Sequence, residues 1–162
     1  MKALAFGMLF LAAPALAAPA LAQPAPGALQ APLRPACISS PFGERDEAGP
    51  RASRHHRGID IPAPAGAWVV AAAAGEVVAV RRRGAAGLEV ELRHAGGFAT
   101  RYAHLGSIAP ALASGRRRVA QGERLGRIGR SGITYGTHLH FEVVVGGTPV
   151  DPAAFLALPR CG

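Results

Sequence analysis

The chain has 162 residues, of which 49% are hydrophobic and only 6% aromatic, and its formal net charge of +8 comes almost wholly from arginine. This length suits one compact domain rather than two. The scarcity of aromatic side chains and the lack of a nucleic-acid-binding motif argue against a nucleic-acid partner, so the positive charge fits attraction to an anionic cell envelope better.

The first residues have the pattern of a secretory signal peptide. Lys2 precedes an apolar run from Ala3 to Ala22, which is the order of charged and hydrophobic regions in such signals. A membrane anchor is the competing interpretation, but Pro14 and Pro19 interrupt the run and would break a spanning helix. We therefore expect an exported protein of the periplasm or the extracellular cell envelope, with no stable membrane span after signal cleavage.

Signal cleavage is expected after Ala17 or Ala22, because each ends a triplet with small residues at its first and third positions. The polar Gln23 favours the second site. Residues 23–36 are rich in alanine and proline and nearly uncharged, which predicts a flexible lead-in. The folded domain is expected to span residues 37–162.

Cys37 and Cys161 are the only cysteines in the chain. Export would place them in an oxidising compartment, where a disulfide forms and persists. We therefore predict that these two cysteines pair.

Short segments rich in valine, leucine and aromatic residues recur between glycines, as in antiparallel β proteins. They are Trp68–Val70, Glu76–Arg81, Leu88–His94, Phe98–Leu105, Arg124–Ile128 and Leu139–Val145. One short helix is expected, with Asp151 as its cap and Pro152 in its first turn, ending near Leu158. The sequence thus predicts a single, mostly β domain with a short C-terminal helix.

Arginine triplets occur at Arg81–Arg83 and Arg116–Arg118. Because each triplet adjoins a glycine, solvated turns are the simpler interpretation. Contact with a polyanion is the alternative.

The segment from His138 to Val145 alternates between apolar and polar positions, so its histidines share one face of a strand. One face carries Leu139, Phe141, Val143 and Val145, and the other carries His138, His140, Glu142 and Val144. The apolar face should pack against the core, which directs the histidines outward.

The segment from Phe98 to Leu105 places a further histidine near these two if the strands are neighbours. Alternation puts Phe98, Thr100, Tyr102 and His104 on one side, and Ala99, Arg101, Ala103 and Leu105 on the other. Three imidazoles, those of His104, His138 and His140, would then converge.

A catalytic zinc site needs about three nitrogen or oxygen ligands and one open position. His140 is one candidate ligand, and His56 and Asp60 are two more. Gly58 argues against a helix between them, but a spacing of four also keeps two side chains on one face of an extended chain. Taken alone, a His-x-His strand is commonly a polar surface pair, and His55 competes with His56 by sequence.

Five motifs occur in order along the chain. They are Ser40-Pro41-Phe42-Gly43 with Arg45, Arg54-His55-His56-Arg57-Gly58-Ile59-Asp60, Tyr102-Ala103-His104-Leu105, Gly136-Thr137-His138-Leu139-His140-Phe141-Glu142, and Val150-Asp151-Pro152. With these motifs, residues 40–155 resemble the lysostaphin or LytM type of zinc metalloendopeptidase, metallopeptidase family twenty-three. Thr137 stands where such proteins often have proline, and residues 85–88 replace their usual turn between two strands. Neither departure removes a ligand or a catalytic histidine.

The resemblance implies a duplicated-hybrid-motif β fold, in which a long groove lies over an antiparallel, barrel-like sheet. It implies one zinc ion per chain, bound by His56, Asp60 and His140. It also implies that His104 and His138 are the catalytic histidines.

Two neighbours of these residues need separate interpretations. The register of Gly58 and Asp60 within the motif favours His56 over His55 as a ligand. Glu142 shares the strand face of His140, so it either orients a ligating histidine or is an ordinary polar strand residue.

The implied activity is hydrolysis of peptide cross-links in bacterial peptidoglycan by a monomeric enzyme whose partners are the peptide stems. One alternative is a non-catalytic module of the same fold that binds the wall or activates another hydrolase. Such modules usually lose metal ligands, and none is lost here. A periplasmic zinc-delivery protein is a third class, but it would need neither a groove nor paired catalytic histidines.

Overall fold

The computed structural model describes residues 23–25, 27–46 and 49–162. The predicted signal peptide, residues 1–22, lies outside this part of the chain. Among the described residues, no helix has both the length and the apolar character that crossing a membrane requires.

Short strands make up most of the described fold. The strands are β1 (Gly43–Glu44), β2 (His55–His56), β3 (Ile59–Pro62), β4 (Trp68–Val70), β5 (Gly75–Arg83), β6 (Gly87–Arg93), β7 (Phe98–Ile108), β8 (Arg118–Val119), β9 (Arg124–Ile128), β10 (His138–Val145) and β11 (Thr148–Val150). A one-turn helix, α1, spans Pro110–Ala113, and a 3-10 turn spans Pro152–Ala154. The prediction of a mostly β domain is confirmed.

Nine of these strands form one antiparallel sheet, and β1 pairs only with β2 in a separate hairpin. The main path of the sheet runs β11-β10-β7-β6-β5-β8, while β3 pairs with β10 and β9 joins β4 to β7. The described strands do not close into a barrel. The sheet is open because the terminal strands of its main path, β8 and β11, form no hydrogen-bonded ladder with each other.

All six predicted strand segments are strands, and their bounds differ from the prediction by at most a few residues. The strands that the sequence did not predict are β1, β2, β3, β8 and β11, which are two to four residues long. Segments so short contain too few positions to show an alternating pattern.

The predicted C-terminal helix is shorter than expected. Asp151 caps it, because its carboxylate accepts a hydrogen bond from the Ala153 amide at 2.9 Å. The turn ends at Ala154 rather than near Leu158, because Phe155 packs into the core, where it is 5% exposed. The sequence also gave no indication of α1, a single turn that begins with a proline.

The chain packs against the sheet well before the expected start of the domain. Leu29 and Leu33 are core residues, 6% and 3% exposed. The Gln30 amide donates a hydrogen bond to the Ala72 carbonyl at 2.8 Å. The expectation of a flexible lead-in across residues 23–36 therefore differs from the structure, because two leucines bury enough apolar surface to hold this segment in place.

The first arginine triplet is not a turn. Arg81, Arg82 and Arg83 are the last three residues of β5, and Arg81 forms ion pairs with Glu89 and Glu91 of β6. The expectation of a solvated turn is wrong for this triplet, because neighbouring glutamates on β6 hold the first of its guanidinium groups on the sheet.

Cys37 and Cys161 form a disulfide, as predicted. The backbone strengthens the same junction: the Ile38 amide donates to the Pro159 carbonyl at 2.9 Å, and the Cys161 amide donates to the Ile38 carbonyl at 3.1 Å. The cross-link joins positions separated by 124 residues, so it restricts nearly the whole domain in the unfolded state.

Replacing both cysteines should destabilise the domain strongly. We expect the Cys37→Ala, Cys161→Ala double variant to lose roughly 4 to 5 kcal/mol of unfolding free energy, because the unfolded chain gains the entropy of a long open loop. Urea denaturation followed by circular dichroism would measure this difference. Equal stability of the double variant and the oxidised parent protein would contradict the prediction.

Candidate metal centre

The pairing of β3 with β10 builds the centre of the site. Asp60 lies directly opposite His140 across this pair, so their side chains leave the sheet on the same face. The other face is apolar, and its residues are 0% exposed: Ile59, Ile61, Leu139, Phe141 and Val143. Leu139, Phe141 and Val143 thus form the predicted apolar face of β10, and burial of this face directs His140 outward. The alternation does not continue to the end of the strand, because Val144, predicted on the outward face, is buried at 5% exposure.

Three predicted metal ligands meet at this position. His140 Nδ1 lies 3.0 Å from Asp60 Oδ1 and 3.0 Å from His56 Nε2. His56 Nε2 is 3.2 Å from Asp60 Oδ1. The three donor atoms are thus close enough to surround one ion.

His56 is oriented by the segment that precedes the β1–β2 hairpin. Its Nδ1–H donates to the Pro41 carbonyl at 2.6 Å, which leaves the lone pair of Nε2 directed at Asp60. Ser40 and Asp60 form an isolated antiparallel bridge, so the same segment also holds the backbone of the carboxylate ligand. This arrangement explains how the Ser40-Pro41 motif supports the site.

His140 is oriented by Glu142 on the same strand. Its Nε2–H donates to Glu142 Oε1 at 3.2 Å, so the lone pair of Nδ1 is directed into the cluster. Glu142 therefore supports a candidate ligand, the first of the two interpretations that its sequence position allowed.

This donor set fits a divalent cation. Two imidazole lone pairs and a carboxylate oxygen repel one another at these distances unless a positive charge lies among them. Burial by itself would lower the pKa of His140, but its hydrogen bonds to Asp60 and Glu142 outweigh burial and raise this pKa to about 9. The cluster therefore attracts positive charge, and two nitrogens with one oxygen are ligands that zinc accepts.

Arg45 binds the second oxygen of the candidate carboxylate ligand. Its Nη2 donates to Asp60 Oδ2 at 2.8 Å, while Oδ1 faces the histidines. Burial would raise the pKa of Asp60, but its hydrogen bonds with His140 and His56 hold this pKa well below its ordinary value. Arg45 therefore leaves only one oxygen of an ionised Asp60 free for a metal.

His104 reaches the site through a β-bulge in β7. Leu105 pairs with Leu88, and Tyr102 pairs with Val90, so three steps on β7 match two on β6. His104 lies in the bulge with a φ of 62°, which is rare outside glycine. The prediction that His104 shares a face with Tyr102 is wrong, because the bulge turns His104 into the groove and buries Leu105.

The two predicted catalytic histidines lie together beside the donor cluster. The ring centroids of His104 and His138 are 4.9 Å apart, and His138 Nε2 lies 3.5 Å from Asp60 Oδ1. The His104 Nδ1–H donates to the Ser131 carbonyl at 2.9 Å. His138 Nδ1 is 3.3 Å from Thr134 Oγ1. Each histidine thus has one nitrogen bound outside the cluster, and Nε2 remains for other partners.

Burial keeps both of these imidazoles neutral near physiological pH. It lowers the pKa of His104 to about 4, against a smaller opposing effect of the Ser131 hydrogen bond. It also lowers the pKa of His138, although the negative charge of Asp60 opposes this shift. Neutral imidazoles can accept a proton, which is the property required of a general base.

All five predicted site residues line one groove of about 800 Å³. Alternation predicts that Arg101 lies on the strand face opposite Tyr102, but no sequence motif assigns it a role. In the structure Arg101 lines the groove and donates to Glu142 at 3.1 Å. Only the register of β7 against β10, which sets Arg101 opposite Glu142, would have identified this contact.

The sequence pattern of Peptidase family M23 matches residues 54–152. The chain therefore belongs to this family, and the resemblance noted above is confirmed. The matched range contains each of the five site residues and ends within the 3-10 turn.

Two curated relatives are named for activity on peptide bonds. The chain is 41% identical over 128 residues to "DD-carboxypeptidase/endopeptidase Mpg" of Neisseria meningitidis serogroup B, covering 79% of this chain and 29% of Mpg. It is 38% identical over 96 residues to "Peptidoglycan DD-endopeptidase ShyA" of Vibrio cholerae, covering 59% of this chain and 22% of ShyA. The chain thus spans less than a third of the length of either relative.

Solved structures share the fold. A zinc-containing peptidase from Vibrio cholerae superposes with a TM-score of 0.63 at 31% identity, over 83% of this chain and 40% of that one. The catalytic domain of lysostaphin from Staphylococcus simulans has a TM-score of 0.62 at 22% identity, over 72% of this chain and 89% of that one. The second likeness concerns the fold alone.

Gly58 should be essential to the geometry of this site. A Cβ at this position would collide with the backbone carbonyl of Phe141 on β10. We expect Gly58→Ala to separate β3 from β10, to reduce the unfolding free energy by roughly 1 to 3 kcal/mol and to weaken zinc binding. Gly136→Ala is the matched control, because a Cβ there contacts nothing within 4 Å. Urea denaturation and competition with a zinc chelator would measure both effects, and unchanged values for Gly58→Ala would refute the prediction.

His55 and His56 provide a direct test of the ligand assignment. We expect His56→Ala to weaken zinc binding by roughly 100-fold or more, because one of three protein ligands is lost. The His55 side chain is 55% exposed and bound to Glu44, so His55→Ala should keep the parent affinity. Zinc content after dialysis and chelator competition would distinguish the two variants. The opposite pattern would make His55 the ligand.

Proposed function

We propose that this protein is a zinc-dependent endopeptidase that hydrolyses peptide cross-links of bacterial peptidoglycan. The observation that carries this proposal is the convergence of a His-Asp-His donor cluster with two further neutral histidines in one groove. Membership of a peptidase family supports it. So do the names of Mpg and ShyA, which describe an endopeptidase and a peptidoglycan endopeptidase.

The proposed zinc ligands are His56, Asp60 and His140, with one ion per chain. Zinc held by three protein ligands would supply Lewis-acid chemistry, acidifying water and polarising a carbonyl oxygen at its open coordination position. Pro41 and Glu142 fix the tautomers of the two histidines by accepting their outer N–H groups. The inner nitrogens, His56 Nε2 and His140 Nδ1, are thereby the ones left to bind the ion.

His104 and His138 are the proposed catalytic histidines. Each has its Nδ1 bound outside the donor cluster, so the Nε2 lone pair is available to accept a proton from an attacking water molecule. The protonated imidazole can then return that proton to the leaving amine or donate a hydrogen bond to the developing oxyanion. The proximity of His138 to Asp60 keeps the positive charge of a protonated His138 close to a carboxylate.

An exported, monomeric protein is part of this proposal. Its substrate, the peptide stems of peptidoglycan, lies outside the cytoplasm, and the signal peptide expected over residues 1–22 would deliver the chain there after cleavage at Ala17 or Ala22. The disulfide between Cys37 and Cys161 supports an oxidising compartment.

Digestion of purified cross-linked peptidoglycan by the mature protein would test the proposed activity. We expect mass spectrometry to find cross-linked fragments converted to monomers, and a chelator to prevent this conversion. His104→Ala and His138→Ala should each reduce the rate by roughly 10² to 10⁴-fold, because general acid–base catalysis is lost.

Zinc content and a matched variant control this experiment. Both alanine variants should keep bound zinc, and His55→Ala should retain the parent rate because its side chain bonds Glu44 at the surface. Intact cross-linked fragments with and without chelator would favour a non-catalytic module. Full activity of zinc-loaded His138→Ala would remove that residue from the mechanism.

A further inference from the structure

The charged side chains of the groove are largely neutralised by one another. Among the lining residues, Arg45 pairs with Asp60, Arg101 with Glu142, and His55 with Glu44. Glu89 is held by Arg81, which lies just outside the lining set. These pairs leave few charges for a ligand to compensate.

Three arginines that line the groove, Arg51, Arg57 and Arg83, lie outside these pairs. Arg51 lines the groove together with the acidic Asp46. Arg57 and Arg83 then have no ion-pair partner among the residues that the structure describes. Both side chains are exposed, so a ligand in the groove can reach their guanidinium groups.

Arg57 lies beside the metal site. It directly follows His56 along the chain and lines the same groove as Glu142. Glu142 is already bonded to His140 and Arg101, so the guanidinium of Arg57 is left for another anion.

Arg83 precedes the connection between β5 and β6, which contacts His104. As the last residue of β5 it shares the strand face of Arg81, whose guanidinium is already held by glutamates. Arg83 sits opposite Gly87, which has no side chain to pair with it. The connection that follows it ends at Ala86, whose carbonyl accepts the backbone amide of His104 at 2.9 Å.

We propose that Arg57 and Arg83 bind carboxylate groups of an anionic peptide substrate. An arginine fork matches a carboxylate in geometry and can bind it through two hydrogen bonds. The two residues line the groove from different elements, one directly after the proposed metal ligand His56 and one at the end of β5, so binding of two carboxylates would fix the position of a bound peptide along the groove. This inference rests on the proposed function and names the chemistry of its substrate.

Arg82 provides the matched control. It neighbours Arg83 on β5 and is likewise exposed, but alternation directs it to the opposite strand face, and it does not line the groove. Arg82→Gln and Arg83→Gln change the net charge equally. Only Arg83→Gln removes a charge from the groove.

The probe is a set of cross-linked peptide dimers isolated from purified peptidoglycan. Half of the sample keeps its free carboxylates, and the other half is converted to carboxamides with carbodiimide and ammonia. Isothermal titration calorimetry would measure binding in a zinc-loaded His138→Ala background, where cleavage is expected to be slow. The variants are Arg57→Gln, Arg83→Gln, their combination and Arg82→Gln, each checked for zinc content and thermal unfolding.

We expect the parent background to bind the carboxylate form more tightly than the amidated form. The Arg57→Gln, Arg83→Gln combination should bind the carboxylate form roughly three- to tenfold more weakly and lose most of this preference. Arg82→Gln should keep the preference for the carboxylate form. The preference should also decline as salt increases, because exposed charges are screened.

Three results would overturn the proposal. The His138→Ala background could bind the carboxylate and amidated forms equally, or the combined variant could keep the preference for the carboxylate form. The third is an equal loss of affinity for the carboxylate form in Arg82→Gln and Arg83→Gln. Cleavage by the otherwise unmodified enzyme is measured separately. Binding of the dimers could depend on the two arginines while the enzyme with all its histidines cleaves neither the carboxylate form nor the amidated form. In that case the endopeptidase proposal fails and the carboxylate site stands.

Discussion

The antiparallel pairing of β3 with β10 is the constraint on which the rest of the site depends. It sets Asp60 opposite His140 while burying the flanking isoleucines and aromatic residues on the other face of the sheet. Holding a carboxylate and two imidazoles close together costs free energy. Burial of the apolar side chains one residue away along each strand offsets this cost. Gly58 permits this close approach, because its missing side chain leaves space for the backbone of β10. Asp60 and His140 are therefore close in space although they are far apart in the sequence.

The catalytic histidines depend on a local irregularity rather than on regular strand geometry. A regular β7 would bury His104 beside Tyr102 and expose Leu105. The bulge exchanges these two positions and places His104 in a backbone conformation that costs of order 1 to 3 kcal/mol. The surrounding structure compensates for it, since Ala86, Ser131 and Gly129 all form hydrogen bonds with His104.

Charges on the groove face of the sheet continue well beyond the metal centre. A row of ion pairs crosses four strands, from Glu142 on β10 through Arg101 on β7 and Glu91 on β6 to Arg81 on β5. Partly buried charges are tolerated only when they are paired, and this row leaves each of them with a partner. The row also connects the carboxylate that orients His140 to the rigid middle of the sheet. It ends at Arg81, two residues before Arg83, whose side chain lines the groove without an ion-pair partner among the described residues.

The sequence by itself determined the mostly β class, six of the strands, the disulfide pair and the outward face of β10, because each of these follows from composition or from local alternation. It also brought the five site residues together through motifs that occur in order along the chain. Only the tertiary structure decided how they meet. The face of His104 depends on a bulge set by pairing with β6, the contacts of Arg45 and Arg101 depend on strand register, and burial of Leu29 and Leu33 depends on apolar surface contributed by distant segments. Alternation within one strand is a local property of the chain, whereas register and bulges are properties of strand pairs, so no single segment of the sequence contains them.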